Sequence, residues 1–555
     1  MNRTEVKKVL NTVSECKDAF AAIKLLVNLV ENLVEKIEDL EDKLQKSKDE
    51  INRLKGEQGK PHIRKQSKDD NDNNGSSDHS SEESRKDRGN KPPPKQKSKK
   101  MEAVKIDRQI TLKISKDELP DDAVFKGYET RVFQDIKPIT DNIEFRREIY
   151  YSSSLNKTIL TSLPKGYHGE FGPGIRALIL FLYRDSCMTQ PAIARFFTTF
   201  GIQISMNTIS RMITEGHDRF HHEKEDIINT ALKMGLYQHI DDTSCRVNGK
   251  NHYTHILCGP LFTAFFTRPH KDRLTILEML CHSELKFDFN HVAYEFMKEL
   301  GLSEKRLVEV KSTVGTVTLT RSDIDKLLMR LFPNPKKFTT IRRIILEASA
   351  ITYYRSTDHA IKHLMCDDAP QFKKIALYHS LCWVHEGRHF KKLIPLYTAH
   401  QDALDKFIEH FWDFYHALLD YQKNPLPEVA LKLSEKFDEI FSTETCYIAL
   451  NDRIVKTLSK KESLLLVLQF PFLPLHNNPA ELGARVQARM RDINLHTISE
   501  NGTKAKDTFA TIVQTAKKLG VNIYNYFYDR VAEKFEMKAL SDLIIEKSTG
   551  VFNTA

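Results

Sequence analysis

No Cys-x-x-Cys pair occurs in this 555-residue chain. Its eight cysteines (Cys16, Cys187, Cys245, Cys258, Cys281, Cys366, Cys382 and Cys446) are scattered along it. Isolated cysteines in a long chain argue against a disulfide framework and for a reducing compartment. No run of about 18 apolar residues is present, so no membrane-spanning helix is expected. The opening segment, MNRTEVKKVL, is charged where a signal peptide would be apolar. A cytoplasmic protein is expected, with no membrane partner. Neither sign of charge is in large excess: the net charge is +9 and the isoelectric point about 8.8. That bias is compatible with a polyanionic partner and does not by itself establish one. Hydrophobic residues make up 40% and charged residues 29%, the composition of a soluble globular chain long enough for several domains.

What is present begins with a heptad pattern. Ile23, Leu26, Val30, Leu33, Ile37, Leu40, Leu44, Ser47, Ile51 and Leu54 alternate three and four residues apart, and only Ser47 interrupts the apolar seam. β-Branched residues recur at the first position and leucine at the second, which favours two parallel strands. Residues 1–55 therefore read as a coiled-coil oligomerisation helix, with a homodimer or higher homo-oligomer formed through residues 23–54. The other reading is an amphipathic helix packed on its own chain. Residues 56–100 are almost devoid of apolar side chains (KDDNDNNGSSDHSSEESRKDRGNKPPPKQKSKK) and read as a disordered linker.

Residues 101–170 show short alternating patches, VKIDRQITLKI and REIYYSSSLNK, that suggest short strands in a small module. Residues 171–225 carry two helix starts. Thr189 caps a helix with Pro191 in its first turn and Ala192, Ile193 and Phe196 as its apolar face. Gly201 ends it, and Ser205 caps a second helix containing Ile209, Met212 and Ile213. That spacing matches a helix-turn-helix, with Asn207, Thr208 and Arg211 facing a DNA groove.

From residue 230 the pattern changes to strands. LYQHIDDTSCRVNGKNHYTHILCGPLFTAFFT reads as three strands, the first two joined by a tight turn at Asn248-Gly249 and the next pair broken at Gly259-Pro260. A helix from about Asp272 to Cys281 follows. IKHLMCDDAPQFKK is then a strand ending in two aspartates, and ALYHSLCWVH a further strand. Residues 391–470 read as helical. HNNPAELGARVQARMRD opens a new helix, and DTFATIVQTAKKLG gives a last amphipathic one, with Lys517 and Lys518 in its final turn and Gly520 after it.

Strand, hairpin, strand, helix and strand, with acids at strand ends and one on a later helix, is the layout of a ribonuclease-H-like α/β core with a helical insertion. Two-metal phosphoryl transfer needs carboxylates that converge on hard, octahedral ions while leaving positions for phosphate and water. Asp241 and Asp242 point to opposite faces of a strand, so at most one looks into a site. Asp367 and Asp368 carry the same ambiguity. Glu481 has a competing explanation as the third residue of a capping box behind Asn478 and Pro479. Arg485 and Arg489 follow it at four-residue steps, suited either to salt pairing with Glu481 or to phosphate contact. Cys382, His385 and His389 have a spacing that suggests zinc, but no fourth ligand is evident nearby. A packed cluster in which Cys382 and His385 support the active site is the preferred reading.

Together these segments resemble the insertion-sequence-66 family of bacterial DDE transposases. HIDDTSCRVNG is similar to its first catalytic block, LMCDDAPQF to its second, CWVHEGRHF to the Cys-x-x-His block after it, and LPLHNNPAELGAR to its glutamate block. The resemblance selects Asp241, Asp367 and Glu481 as catalytic metal ligands. It implies Mg²⁺ (or Mn²⁺) as cofactor and double-stranded DNA as partner, both the element's terminal inverted repeats and the target. It also implies a cytoplasmic, nucleoid-associated location and places residues 230–390 and 471–555 in the catalytic core, with 391–470 as its insertion. One departure stands out. The family's cysteine-rich zinc-binding module precedes the helix-turn-helix, whereas residues 101–170 contain no cysteine. That loss keeps two other classes in view: a catalytically inactive, repurposed coiled-coil DNA-binding protein, and a ribonuclease-H-like nuclease that cleaves without needing element ends.

Overall fold

The computed structural model describes residues 19–54, 106, 108–112, 128, 131, 140–281 and 284–551. The linker expected over 56–100 lies outside them, as do five of the eleven residues of VKIDRQITLKI. The segment REIYYSSSLNK folds as a short exposed hairpin, β1 (Ile149–Ser152) against β2 (Lys157–Leu160).

The centre of the molecule is a five-stranded mixed sheet: β3 (Gln238–Val247), β4 (Lys250–Cys258), β5 (Thr263–Arg268), β8 (His363–Cys366) and β9 (Tyr378–Leu381). Its spatial order is β5-β4-β3-β8-β9. The first three strands are antiparallel neighbours, and β8 and β9 run parallel to β3. The β3–β4 turn falls at Asn248-Gly249 as expected. Both residues have positive φ (48° and 73°), the backbone that a two-residue hairpin requires and that Asn and Gly adopt at least cost. Between β5 and β8 lies a segment of which the sequence revealed only the first helix. It contains a helix, Arg273–Leu280, capped by Asp272, then an antiparallel pair, β6 (Phe287–Phe289) with β7 (Val317–Leu319), joined through the helices His291–Glu299 and Glu304–Val314, and the long helix Thr339–Arg355 buried against β6.

An edge strand exposes unpaired backbone groups unless something covers them. Here the cover is the helix Glu500–Leu519. Asp507, Thr511 and Thr515, spaced four residues apart on one face, accept the outward N–H groups of Thr267 (2.6 Å), Phe265 (3.1 Å) and Thr263 (3.2 Å) on β5. Gly520 ends this helix in the left-handed conformation. The helix is not the last, as two more follow, Ile523–Val531 and Leu540–Val551. Lys518 does not cap its own helix; its ammonium donates to Gly259 O and Phe262 O, both at 2.7 Å.

The two helix starts near residue 200 form where expected. Gln190–Thr199 is capped by Thr189, whose side chain accepts from Ala192 N, and Met206–Thr214 by Ser205, which accepts from Thr208 N. Gly201 turns the chain between them with φ +77°. Ile193, Phe197, Ile209 and Ile213 form their shared core with Ile179 and Leu182 of helix Pro173–Arg184. Ile193, as expected, and Phe197 are the buried residues of the first helix, while the expected Phe196 is only partly buried against this core.

Residues 383–469 are largely helical and have a core of their own. The helices Trp383–Lys391, Thr398–Lys423, Pro427–Phe441 and Ile448–Leu458 enclose Trp383, Phe411, Phe414, Phe437 and Phe441. Helix formation starts at Trp383, so CWVH closes β9 and opens this unit at once.

The heptad segment is one helix, Ala19–Leu54. One face of its N-terminal part docks on the helical unit. Asn28 accepts from Ile448 N (2.9 Å), and buried Glu31 accepts from Leu396 N and Tyr397 N and pairs with His400 at 2.7 Å. The seam residues Ile23, Leu26, Val30, Leu33, Ile37, Leu40 and Leu44 lie off that docked face and are exposed, Leu40 at 63%. Among the described residues, no helix is long and apolar enough to cross a membrane.

Candidate active site

Asp241 lies within β3, not at a strand end. The parallel β3–β8 ladder pairs Gln238 with Leu364 and His239 with Met365. The same register continued sets Asp241 level with Asp367, just beyond the end of β8. Two adjacent parallel strands thus deliver two carboxylates to one place.

The two aspartates of each pair have different neighbours. Asp242, on the other face, accepts from Gln371 Nε2 (2.8 Å) and faces Lys271 at 3.9 Å. Asp368 is clamped by Lys373 and Lys460, each at 2.8 Å. Asp241 and Asp367 have no cationic partner at salt-bridge distance among the described residues. Asp241 accepts only from Asp242 N (2.8 Å), and Asp367 from Ala369 N (3.1 Å). Burial pushes the Asp241 carboxyl up to about 7. The Asp242 N–H opposes this, and the charges of Asp367, Asp242 and Glu481 add to it. Asp367 is also raised, chiefly by burial, with Ala369 N–H and His385 opposing and Asp242 and Asp368 adding. Asp368 goes the other way: burial works against its charge, but the two lysines hold it below the ordinary range.

Glu481 reaches the same cluster from helix Asn478–Asn494, which packs across β3 and β4. The expected capping box does not form. Asn477, not Asn478, is the N-cap residue, and Glu481 N donates to its carbonyl (3.2 Å) in ordinary helical fashion. The Glu481 carboxylate is engaged elsewhere, by the Arg388 guanidinium at 3.2–3.3 Å on both oxygens, with His385 Nδ1 3.5 Å away. Arg485 and Arg489 therefore do not pair with Glu481. Both are exposed, and they line a cavity of about 480 Å³ with Tyr237, His239, Pro479 and Lys518. Asn207 and Arg211 are also exposed, and Thr208 is half-buried with its hydroxyl 2.9 Å from that of Ser205.

Asn477, the first asparagine of HNNPAELGAR, fixes the start of the glutamate helix. Fully buried, it donates to Ile240 O (2.9 Å), its amide oxygen receives His239 Nδ1–H (3.0 Å), and its backbone N–H points to Cys382 Sγ (3.2 Å). Burial drives the His239 imidazolium pKa down to about 3, with the Asn477 bond opposing. The ring is neutral, as this tautomer requires. The side chain of Asn477 thus ties the residue next to Asp241 to the helix that carries Glu481.

Gly483 permits the close approach of that helix to the sheet. A Cβ there would lie 2.7 Å from Cγ2 of Ile256, which is fully buried on β4. Gly483→Ala gains up to about 1 kcal/mol in helix propensity but overpacks a rigid contact at a cost of about 1–3 kcal/mol. The expected result is a lower urea midpoint than wild type and a larger loss of any activity that depends on Glu481. A midpoint at or above wild type would show that the helix is free to move off the sheet.

The Cys-x-x-His segment lies against the same cluster. Cys382, His385 and Glu481 each offer a ligand atom within 4.8 Å of the others, whereas His389 does not join them. Burial pushes the Cys382 thiol up to about 11; the N–H groups of His385 and Asn477 oppose the rise and Glu481 adds to it. Burial also lowers His385, with Glu481 opposing and Arg388 reinforcing. One turn away, buried Glu386 accepts from Thr457 Oγ1 (2.6 Å), pairs with Arg453, and meets Lys460 at 3.0 Å. Lys460 also holds Asp368 and so links the helical unit to the strand end that presents Asp367. None of Arg388, Gly483 or Lys460 stood out in the sequence. Arg388 was legible in principle, since it lies one helical turn after His385.

The described core is therefore a mixed α/β sheet with acidic residues within β3 and just beyond the end of its parallel neighbour β8. No protein-family profile matches the chain. Over 312 residues, 55% of this chain and 94% of the relative, it is 27% identical to the uncharacterized protein y4jO of Sinorhizobium fredii.

Proposed function

We propose that the protein is a DDE-type DNA transposase that cleaves the ends of a mobile element and joins the 3′-hydroxyl to target DNA, with Asp241, Asp367 and Glu481 as its metal ligands. What supports this reading is the register of two adjacent parallel strands, which sets Asp241 level with Asp367, both raised by burial and neither with a cationic partner at salt-bridge distance among the described residues, together with the charge of Glu481 acting on Asp241. Numbered by order in the chain, the five core strands stand 3-2-1-4-5. A ribonuclease-H-like core would have that order, with acids on the central strand and its parallel neighbour.

The donor set fits a hard divalent cation, since it offers carboxylate oxygens in a cluster short of positive charge. Mg²⁺ or Mn²⁺, when bound, activates water and neutralises charge on the transferring phosphoryl group. Asp241 and Asp367 hold this site from rigid strands. Glu481 contributes from its helix when Arg388 releases it, and the freed guanidinium is suited to a phosphate oxygen. Arg485 and Arg489 extend that positive surface along the helix for the DNA backbone. The helix pair around Gly201 is read as a helix-turn-helix presenting Asn207, Thr208 and Arg211 to the major groove. The exposed seam of helix Ala19–Leu54 is read as a two-stranded coiled coil that brings two copies, and with them two element ends, together.

One observation favours a second reading. Arg388 already neutralises Glu481, as it would in a repurposed DNA-binding descendant that no longer holds metal. Incubating the full-length protein with DNA flanking its own gene separates the two. The transposase reading expects nicking at the terminal repeats and strand transfer in Mg²⁺ or Mn²⁺, and neither in EDTA. Binding without cleavage in either ion supports the second reading, and cleavage indifferent to the end sequence supports a general nuclease.

A further inference from the structure

We infer that Cys382, His385 and Glu481 form a binding site for a soft or borderline divalent ion, Zn²⁺ above all, separate in its donor chemistry from the carboxylate site but sharing Glu481 with it. Thiolate, imidazole and carboxylate are a donor set that suits zinc and does not suit Mg²⁺. Three such atoms already lie within 4.8 Å of one another. Around a tetrahedral zinc, ligand atoms stand roughly 3.3–3.7 Å apart given the usual bond lengths, and His385 Nδ1 is 3.5 Å from Glu481 Oε1. A second observation points the same way: His385 Nδ1 is buried and has no hydrogen-bond partner among the described residues. It faces a carboxylate without bonding to it, across a gap that an ion would bridge. The fold holds the donors in place from both sides. Cys382 sits at the join of β9 and helix Trp383–Lys391, and Asn477 N–H orients its sulfur. With three protein ligands the fourth position stays open, as in exchangeable rather than structural zinc sites.

Binding converts the Cys382 thiol to a zinc-bound thiolate and releases its proton to solvent. Arg388 leaves Glu481 in the exchange. Its side chain is 38% exposed and can turn to solvent. The functional consequence, which rests on the transposase reading, is that zinc withdraws Glu481 from the carboxylate site and switches Mg²⁺-dependent cleavage off. The ion site itself does not depend on that reading.

The test uses Co²⁺ as a spectroscopic stand-in on EDTA-treated, full-length protein without DNA. Thiolate-to-cobalt charge-transfer absorption and strong visible bands of four-coordinate cobalt are expected, both removed by stoichiometric Zn²⁺. Cys382→Ser should abolish the charge-transfer band and His385→Ala should weaken binding at least about tenfold, while Asp241→Asn retains both bands. No charge-transfer band in wild type, or the same band in Cys382→Ser, overturns the proposal. X-ray absorption on the zinc-loaded wild type guards against a variant that fails to fold: a single sulfur among nitrogen and oxygen ligands is expected, and any other sulfur count refutes it. If the protein cleaves DNA, stoichiometric Zn²⁺ should inhibit it. Cleavage indifferent to bound zinc overturns the shared role of Glu481 and leaves the spectra to judge the site alone.

Discussion

Asp241→Asn, Asp367→Asn and Glu481→Gln should each lower Mg²⁺-dependent cleavage of element ends by about 10³-fold or more while leaving end binding within a few-fold of wild type. The size follows from what a bound dication contributes to stabilising transition-state charge, several kcal/mol, with about 4 kcal/mol corresponding to about 10³ in rate. Each change keeps side-chain volume and removes one negative charge, so the strands and the glutamate helix stay packed. The neighbouring changes Asp242→Asn and Asp368→Asn provide the contrast. Those carboxylates are held by Gln371 and Lys271, and by Lys373 and Lys460, so losing them should cost far less in rate. Quantitative gel assays of cleavage and electrophoretic assays of binding on the same preparations read both effects. Equal losses at Asp242 and Asp241 would mean that the wrong member of the pair has been assigned.

The second large effect is on stability and is opposite in sign to the loss of activity. Burial and like charges raise the Asp241 pKa from 3.8 to about 7 in the fold. An acid raised in the folded state keeps its full contribution below its unfolded pKa and loses it as the pH rises towards the folded value. Between about pH 4 and pH 7 the unfolded chain releases a proton that the folded chain retains, so stability falls. Above about 7 both states are ionised and the penalty is constant. In EDTA at pH 8, Asp241→Asn should therefore be more stable than wild type by about 2–4 kcal/mol, and the difference should vanish near pH 4. Mg²⁺ should close the gap at pH 8, because it binds the ionised cluster of the folded state and stabilises wild type by mass action. For the same reason the apparent Mg²⁺ affinity of wild type should rise through pH 7. Urea midpoints at the two pH values, with and without Mg²⁺, measure all of this. Wild type more stable than Asp241→Asn in EDTA at pH 8 would show that the carboxylate is compensated after all.

Elements with strong local signals were legible in the sequence. Thr189 and Ser205 announced their helices because a side-chain cap is a short-range event. Asn248-Gly249 announced its hairpin because few residue pairs tolerate two positive φ angles. Asp241, Asp367 and Glu481 could be named from the sequence, but not their partners, since a partner is a matter of tertiary contact. Arg388 finds Glu481 across 93 positions, and Asn477 finds Ile240 across 237. The capping-box reading of Glu481 failed for that reason: Asn477 spends its side chain on β3, and the charge of Glu481 is drawn to Arg388. Beyond its first helix, the segment between β5 and β8 was not read: its short strands β6 and β7 pair across two intervening helices, a long-range match with no local turn signal. The Asp507, Thr511 and Thr515 ladder on β5 was similarly silent, since polar residues on a buried helix face look like solvent contacts until the strand edge beside them is known.

Anomalous diffraction from crystals soaked in Mn²⁺ tests the shared carboxylate site most directly. The account predicts a peak within ligand distance, roughly 2.0–2.3 Å by analogy with the hard divalent ions, of carboxylate oxygens of both Asp241 and Asp367, with Arg388 displaced from Glu481. Manganese bound elsewhere, with those two carboxylates bare and Arg388 still on Glu481, would contradict it.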